Sequence, residues 1–387
     1  MKYKHSESHQ IVGIALAGLI ALASAMGIGR FVYTPILPFM VESLQLSKSQ
    51  AGIIASANFL GYMLGALAAA IPSLPGGRRN WFIAGLAMSA VTTAAMGASG
   101  SIPVFITQRF IGGVASAFVL ILGSALVFEK LALAHRTGLS ALHFAGVGCG
   151  IVVSAVLVSA LAAYGYDWRV QWYASGLLSL LALAVVIWLV PVETEVAAPV
   201  MRKPGSGFNH RLIVHMIAYG LFGFGYIITA TFISTIVRAS PELSGIEPII
   251  WVVVGLGAIP SVSLWNWISR RVGIYWSFSL ACLVEAIGVA ISVLPDNEPA
   301  IILSAVLLGG TFVGITALGL GIAGELSRGS PRQGIALVTA FFALGQMIGP
   351  TFAGYTYTFG DSFLVPSLSA AFALVIAASL VAGLARK

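Results

Sequence analysis

Charged residues and cysteines are scarce in this chain. Only 9% of its 387 residues are Asp, Glu, Lys or Arg, against about a quarter in a typical soluble domain. A soluble fold of this length needs many more polar side chains to cover its core. The shortage therefore excludes a soluble enzyme, a nucleic-acid-binding module and a disordered chain. The two cysteines, Cys149 and Cys282, both lie inside apolar runs, so the sequence indicates no disulfide framework.

Long hydrophobic runs fill most of the sequence instead. Hydrophobic residues make up 58% of the chain, and polar, charged or Gly/Pro-rich breaks divide it into twelve runs. Each run can form a helix of about 20 residues, enough to cross roughly 30 Å of hydrocarbon. Helix is expected because lipid offers no partner to an unpaired backbone group. The runs, numbered span 1 to span 12, cover 11–41, 49–71, 81–98, 102–128, 138–163, 169–190, 211–236, 246–268, 275–294, 300–325, 334–356 and 362–384.

Span 1 is longer than a simple crossing and carries Pro35 and Pro38 in its second half. Proline has no backbone N–H, and its ring clashes with the preceding helical turn. We therefore expect a bend or an extended end in this part of span 1.

The positive charges predict an orientation. If the N-terminus is cytoplasmic, fifteen of the twenty Lys and Arg residues fall in inside segments and three in outside loops. The remaining two, Arg30 and Arg109, lie within spans. The positive-inside rule then predicts a multi-pass protein with both termini cytoplasmic. The expected location is the bacterial inner membrane. The net charge of +7 is explained by these short loops and indicates no nucleic-acid partner.

The chain is divided into two similar halves. The longest inside connection, 191–210, contains a polar, helix-breaking stretch and separates six spans from six. We predict an N-terminal bundle over 1–190 and a C-terminal bundle over 211–387. An offset of about 197 residues relates features of the halves: Gly27–Gly29 with Gly223–Gly225, Ile111–Gly113 with Leu308–Gly310, and Glu129 with Glu325. Such pseudo-symmetry suits a carrier whose bundles rock around a site at the membrane midplane.

The layout and three motifs resemble the major facilitator superfamily along essentially the whole chain. Arg109–Ala117 is similar to its span-4 signature, an Arg followed by closely spaced Gly and Ala. Gly345–Pro350 is similar to its Gly-x-x-x-Gly-Pro signature, although antiporters carry that motif in span 5 rather than span 11. Gly27–Pro35 resembles the YbfB/YjiJ-like branch.

The resemblance implies an all-α fold of twelve transmembrane helices in two pseudo-symmetric six-helix bundles. It further implies secondary transport by alternating access, a small-molecule substrate, the lipid bilayer as surroundings, and a monomer. It implies no cofactor. An ATP-driven mechanism would need a soluble nucleotide domain, and no segment is long enough to form one.

Four ionisable side chains lie at membrane depth, where each costs free energy unless it is paired with another group or in contact with water. Arg30 is on span 1, which faces the central cavity in the resembled fold. It is either a fixed cation for an anionic substrate or a structural Arg bonded to carbonyls or a carboxylate. Arg109 is linked to proton coupling in the resembled signature. Alternatively it is a hydrogen-bond node between spans 1 and 4.

Glu285 and His143 are the other two. Glu285, near the middle of span 9, is a candidate proton carrier or a counter-ion for a cationic substrate. Span 9 packs outside the cavity in the resembled fold, which favours a neutral Glu bonded to a neighbouring helix. His143 in span 5 could relay a proton or pack as a lone imidazole.

Four polar residues on cavity-facing helices could orient a small ligand by hydrogen bonds. Tyr33 lies three residues beyond Arg30, so a helix would place both on one face. The four residues are Tyr33, Asn58, Tyr226 and Gln346. Each of these four is equally suited to a hydrogen bond between helices. No His, Cys or Asp cluster has the spacing of a metal site.

Charged residues at the inside ends of the spans predict a cytoplasmic gate. Solvated ion pairs contribute only about 0–1 kcal/mol each, a magnitude suited to a switch. The predicted gate consists of Arg78, Arg79, Glu129, Arg270, Arg271 and Glu325.

Two functions are consistent with the sequence. The first is proton-coupled transport of a small organic anion, because two arginines lie within the first six spans and no acidic residue lies there away from the span ends. The alternative is proton-driven export of hydrophobic or cationic compounds, which rests on Glu285 and an aromatic content of 10%. An enzyme is not expected, because no nucleophile–base pair lies on facing helices.

Overall fold

Twelve membrane-spanning helices make up the part of the chain that the computed structural model describes. It describes residues 2–69, 71, 75–190, 209–294, 297–327 and 331–385, with side chains from residue 11 onward except those of 137 and 331–333. Within these residues twelve helices are long and apolar enough to cross a membrane, which confirms the twelve predicted spans.

The helix bounds extend several predicted spans by a turn. Span 1 consists of two α-helices, Lys2–Leu22 and Tyr33–Leu44, separated by a π-helical turn, Ala23–Ile28. Spans 2 to 12 are, in order, Lys48–Ala69, Arg78–Ala95, Ile102–Leu133, Ser140–Ala163, Trp168–Leu189, His210–Ala239, Glu247–Val272, Ile274–Ile291, Glu298–Leu326, Pro331–Tyr357 and Leu364–Ala385.

Polar caps fix where several spans begin. The side chain of Asp167 accepts from the Val170 N–H ahead of span 6. Asn209 and Asn297 cap spans 7 and 10 in the same way. Short polar side chains at this position satisfy N–H groups that the first turn of a helix leaves free.

The irregular part of span 1 lies before its prolines, not at them. Pro35 is the third residue of the second helix, where backbone N–H groups lack helical partners in any case. The chain is helical through Leu44, so the predicted extended end is absent. Regular bonding fails instead over 23–32, where the N–H groups of Gly29 and Phe31 bond five residues back. The ring of a proline clashes with the backbone of the preceding helical turn, so the irregularity lies in that turn.

Glycines allow the spans to approach closely. A methyl group at Gly61 would overlap the backbone of Phe110 on span 4, and one at Gly345 would overlap the backbone of Gly220 on span 7. These glycines begin the Gly-x-x-x-Gly pairs of spans 2 and 11, which are therefore packing motifs.

The first six and last six spans meet along spans 2 and 11, spans 5 and 8, and spans 1 and 7. Twelve crossings place both chain ends on one side, the terminal face; the other side is the opposite face. Five hydrogen-bonded or ion-paired contacts between described residues join the two sets, and they lie between mid-membrane and the opposite face. These contacts are Arg30–Gln346, Thr34–Ala230, Ser56–Thr351, Ser159–Pro248 and Glu42–Arg238.

Candidate functional site

Arg30 lies on the irregular turn of span 1 and points between the two sets of spans. The residue is only 2% exposed. Its Nη2 donates to Oε1 of Gln346 on span 11 at 2.7 Å. The guanidinium carbon lies 4.5 Å from the ring centroid of Tyr62 and 4.6 Å from that of Phe59, both on span 2. No carboxylate pairs with it among the described residues, and its Nε has no partner there.

Gln346 continues this contact to Tyr226. The Gln346 Nε2 donates a short hydrogen bond to the Tyr226 hydroxyl on span 7. Arg30, Gln346 and Tyr226 therefore form one polar chain that crosses from the first set of spans to the second. Three of the five predicted ligand residues are brought together in this way.

Tyr33 and Asn58 lie elsewhere, next to Arg109. The Tyr33 hydroxyl donates to the Ala51 carbonyl at 2.9 Å, and the Tyr33 ring centroid lies 5.0 Å from the Arg109 guanidinium carbon. Asn58 donates to the Arg109 carbonyl at 2.9 Å. The expected shared face of Arg30 and Tyr33 assumed a regular helix, which the turn at 29–32 interrupts. Their role as ligands stays a prediction.

Arg109 fastens the irregular turn to span 4. It is 3% exposed, and its Nη1 and Nη2 donate to the carbonyls of Gly29 and Arg30, each at 3.0 Å. The N–H of Thr34, which would bond Arg30 in a regular helix, bonds Phe31 instead. The guanidinium thus satisfies carbonyls at the break in span 1. This geometry favours the hydrogen-bond node and makes Arg109 a positioning residue for Arg30.

Glu285 is fully buried within the second set of spans. Both carboxyl oxygens lack a hydrogen-bond partner among the described residues. The neighbouring Thr311 hydroxyl on span 10 donates to Leu307 of its own helix at 2.6 Å. The carboxyl is also within electrostatic range of the Tyr226 hydroxyl. Glu285 therefore lies inside the second set of spans rather than in lipid, and its neighbouring polar group on another helix is the Thr311 hydroxyl.

His143 is buried at a distance from this chain of residues. Its Nε2 and the Ser124 hydroxyl are 2.9 Å apart, and the rings of Phe128 and Phe144 pack against it. This is the environment of a packed imidazole. No group of three His, Cys, Asp or Glu in the described ranges could hold a metal ion.

The six predicted gate residues do not reach across the two sets of spans in the described structure. Arg78 Nη2 pairs with Glu129 Oε2 at 3.0 Å within the first set, both side chains being about 40% exposed. Arg79 donates to the Val190 carbonyl, and Arg271 stacks on Trp267 of its own helix. Arg270 and Glu325 are exposed. A gate at the terminal face stays a prediction.

An ion-pair cluster at the opposite face escaped the sequence analysis. Arg238, at the end of span 7, bonds both carboxyl oxygens of Glu42 on span 1 at 2.8 and 2.9 Å. Its Nη1 lies 3.9 Å from Glu247 on span 8, and its guanidinium carbon lies 4.1 Å from the Phe39 ring centroid. We call Glu42, Arg238 and Glu247 the opposite-face latch. Positions 42 and 238 are 196 residues apart, close to the offset of about 197 residues that relates the two halves. This spacing is the sequence feature that could have predicted the pair.

Loss of the latch is expected to loosen the opposite face. Arg238→Gln removes a partly exposed pair that contributes about 0–1 kcal/mol, so closure should weaken by up to about fivefold. The readout is maleimide labelling of a cysteine placed at buried Thr34, between the latch and Arg30, in a chain lacking Cys149 and Cys282. Labelling should accelerate with Arg238→Gln and return to normal when Glu42 and Arg238 are exchanged.

The matched control is Arg169→Gln, another arginine at the opposite face. Its Nη1 bonds Gly97 within the first set of spans, so its loss leaves the boundary between the sets intact. Equal labelling rates in the two variants would contradict a latch.

Comparison with known proteins identifies the family of the chain. Residues 22–382 match the family described as the uncharacterised MFS-type transporter YbfB. The chain belongs to this branch of the major facilitator superfamily. The predicted resemblance is thereby confirmed.

Relatives and solved structures extend the match. The chain is 24% identical over 351 residues, 86% of each chain, to the uncharacterized MFS-type transporter YceJ of Bacillus subtilis (strain 168). It is similar to a crystal structure of a point mutant of the nucleoside transporter NupG, with a TM-score of 0.73 at 15% identity over 96% and 99% of the chains. A second NupG structure gives a TM-score of 0.70 at 16% identity over 98% and 100%. At this identity the structural likeness shows the fold, and it confirms the predicted all-α, twelve-helix class.

Proposed function

We propose that the protein is a proton-coupled secondary transporter that carries a small organic anion across the bacterial inner membrane by alternating access. The observation that carries this proposal is the surroundings of Arg30. Its guanidinium is buried between the two sets of spans, and the groups that contact it are neutral: the Gln346 amide and the rings of Phe59 and Tyr62. A buried charge without a counter-ion costs several kcal/mol, and an anionic substrate would supply that counter-ion in a geometry suited to guanidinium.

The other membrane-depth arginine does not compete for this role. Arg109 is already committed to two backbone carbonyls. The interiors of the first six spans contain no acidic residue. Arg30 is therefore the cation whose charge is available to a ligand.

The arrangement of contacts supports alternating access. We assign the terminal face to the cytoplasm on the distribution of Lys and Arg. The five polar contacts named above as joining the two sets then lie on the periplasmic side of mid-membrane, as expected for an inward-facing carrier. Bundles 1–190 and 211–387 would rock so that the latch opens while Arg78, Arg79, Glu129, Arg270, Arg271 and Glu325 close the other side. Of the predicted linker 191–210, residues 191–208 lie outside the described structure.

Glu285 is the proton site that the geometry supports best. An unpartnered buried carboxylate is costly, and binding a proton removes that cost. The carboxyl lies within electrostatic range of the Tyr226 hydroxyl, which is joined to Arg30 through Gln346. Protonation of Glu285 and occupation of Arg30 would act on the same polar chain. Arg109 and His143 are the less favoured proton-coupling candidates, since both already have partners.

Glu285→Gln is expected to abolish accumulation driven by a pH gradient while sparing exchange. A gradient of one pH unit can drive about tenfold accumulation with one proton per substrate, and the variant cannot take up that proton. The measurement is uptake of radiolabelled carboxylates into proteoliposomes, with and without the gradient, after subtraction of protein-free vesicles. Glu298→Gln, at an exposed position of span 10, is the control. Gradient-driven accumulation at the wild-type level in Glu285→Gln would overturn the assignment.

Export of hydrophobic or cationic compounds is the second candidate, with Glu285 as counter-ion. Its supporting observation is that both Glu285 oxygens lack partners in the described part. The positive charge of Arg30 at the boundary between the sets weighs against it. Transport of a cation that survives Arg30→Ala and fails in Glu285→Gln would favour this function over the first.

A further inference from the structure

Aromatic rings surround the place where Arg30 meets Gln346. On the second set of spans, the Tyr226 ring is nearly parallel to Phe312 of span 10, at 5.6 Å between centroids and 10° between planes. It is also nearly parallel to Phe342 of span 11, at 5.9 Å and 6°. On the first set, Phe59 and Tyr62 lie under the guanidinium. Flat π-faces therefore flank the polar pair from both sides.

Phe31 closes this arrangement. It follows Arg30 in the chain and meets the Phe312 ring edge-on at 5.8 Å and 73°. It also contacts Trp251 of span 8 at 6.3 Å. Aliphatic side chains would pack between the two sets of spans as well as these aromatic rings do, but they would offer no flat face. The Tyr226 ring already stacks on Phe312 and Phe342, and all three residues are buried, so a substrate ring would enter between Tyr226 and Phe312 in place of their present contact.

Gln346 occupies the place that a carboxylate would take. Its Oε1 lies 2.7 Å from Arg30 Nη2, in the position of a carboxylate oxygen on a guanidinium. Its Nε2 holds the Tyr226 hydroxyl. If the side chain of Gln346 turns away, both the guanidinium and the hydroxyl become available at once, one for a charge and one for a polar ring substituent.

We infer that the transported anion is a carboxylate carried on a flat aromatic or heteroaromatic ring. The carboxylate would replace the Gln346 amide oxygen on Arg30, and the ring would stack on Tyr226 and Phe312. This inference rests on the proposed anion site at Arg30. An aromatic pair should favour such a ring over a saturated one by about 2- to 12-fold.

Three matched probes test the inference on the purified full-length protein: benzoate, cyclohexanecarboxylate and benzamide. They separate charge from aromaticity at nearly constant size. By calorimetric titration, benzoate should bind about 2- to 12-fold more tightly than cyclohexanecarboxylate, and benzamide should bind more weakly than both. Phe312→Leu and Phe342→Leu should each reduce the preference for benzoate over the saturated acid toward 1. Phe363→Leu, whose ring packs on Phe232 near the opposite face, should keep it.

Each other outcome contradicts a different step. If both acids bind equally and both lose affinity in Arg30→Ala, the ring inference is wrong and the anion site stands. If benzamide binds as well as benzoate and Arg30→Ala changes neither, the proposed anion site is wrong as well. Absence of binding by all three probes contradicts both. The comparison of the two acids in the wild-type protein decides the matter even if a Phe variant fails to fold.

Discussion

Arg30→Ala is expected to abolish uptake of the anion, and Gln346→Glu is expected to do the same while raising the melting temperature. The first change removes charge-assisted hydrogen bonds to the substrate, a loss of about 10- to 100-fold in affinity. The second places a carboxylate where Gln346 Oε1 now lies, 2.7 Å from Arg30 Nη2. The guanidinium would then have a permanent counter-ion, which excludes the anionic substrate and stabilises the buried charge.

The combination of lost uptake and gained stability makes Gln346→Glu the more informative variant. Arg30→Ala and Gln346→Glu should both fail in proteoliposome uptake of carboxylates, and Gln346→Glu should do so while melting at a higher temperature than wild type, because its carboxylate pairs with the buried guanidinium. Arg30→Lys should retain part of the uptake, because Lys keeps the charge and loses the planar fork. Wild-type uptake by Gln346→Glu would show that Arg30 does not bind the substrate.

Arg109→Met is expected to cost several kcal/mol of folding stability. The substitution leaves the carbonyls of Gly29 and Arg30 without the donors that now lie 3.0 Å away. Each unsatisfied buried group costs about 1–3 kcal/mol, so the loss should reach about 2–6 kcal/mol. Arg109→Lys should be intermediate, because an ammonium group satisfies these carbonyls less completely. The measurement is denaturant unfolding in detergent micelles.

Arg169→Met is the matched control for this prediction. Arg169 also donates to a carbonyl, that of Gly97 at 2.9 Å, but it lies at the opposite face and its residue is part-exposed. Its loss should cost about 1 kcal/mol or less. If Arg109→Met is as stable as wild type yet transports nothing, Arg109 acts in proton coupling rather than in fastening span 1.

The spans were predictable from the sequence because each run is apolar and the breaks are charged or contain Gly and Pro. The position of the irregular turn was not. Pro35 and Pro38 indicate that span 1 is perturbed, but where the chain yields depends on Arg109, 79 residues beyond Arg30, which supplies donors to the freed carbonyls. Such long-range compensation has no local pattern.

The residues of the candidate site were likewise predictable from the sequence only in part. Arg30, Tyr226 and Gln346 stand out because polar groups are rare at membrane depth. Phe312 and Phe342 do not, because an aromatic side chain within an apolar run differs little from its neighbours. The latch charges, Glu42 and Arg238, resemble ordinary residues at helix ends, and only their spacing of 196 residues connects them.

Charge selectivity of transport tests the central claim most directly. Radiolabelled carboxylates and their neutral carboxamides should be compared for uptake by wild-type and Arg30→Ala protein in proteoliposomes. We expect the wild type to take up at least one carboxylate and exclude its amide, and Arg30→Ala to lose that uptake. Equal uptake of a carboxylate by both proteins, or uptake of amides alone, would contradict an anion site at Arg30.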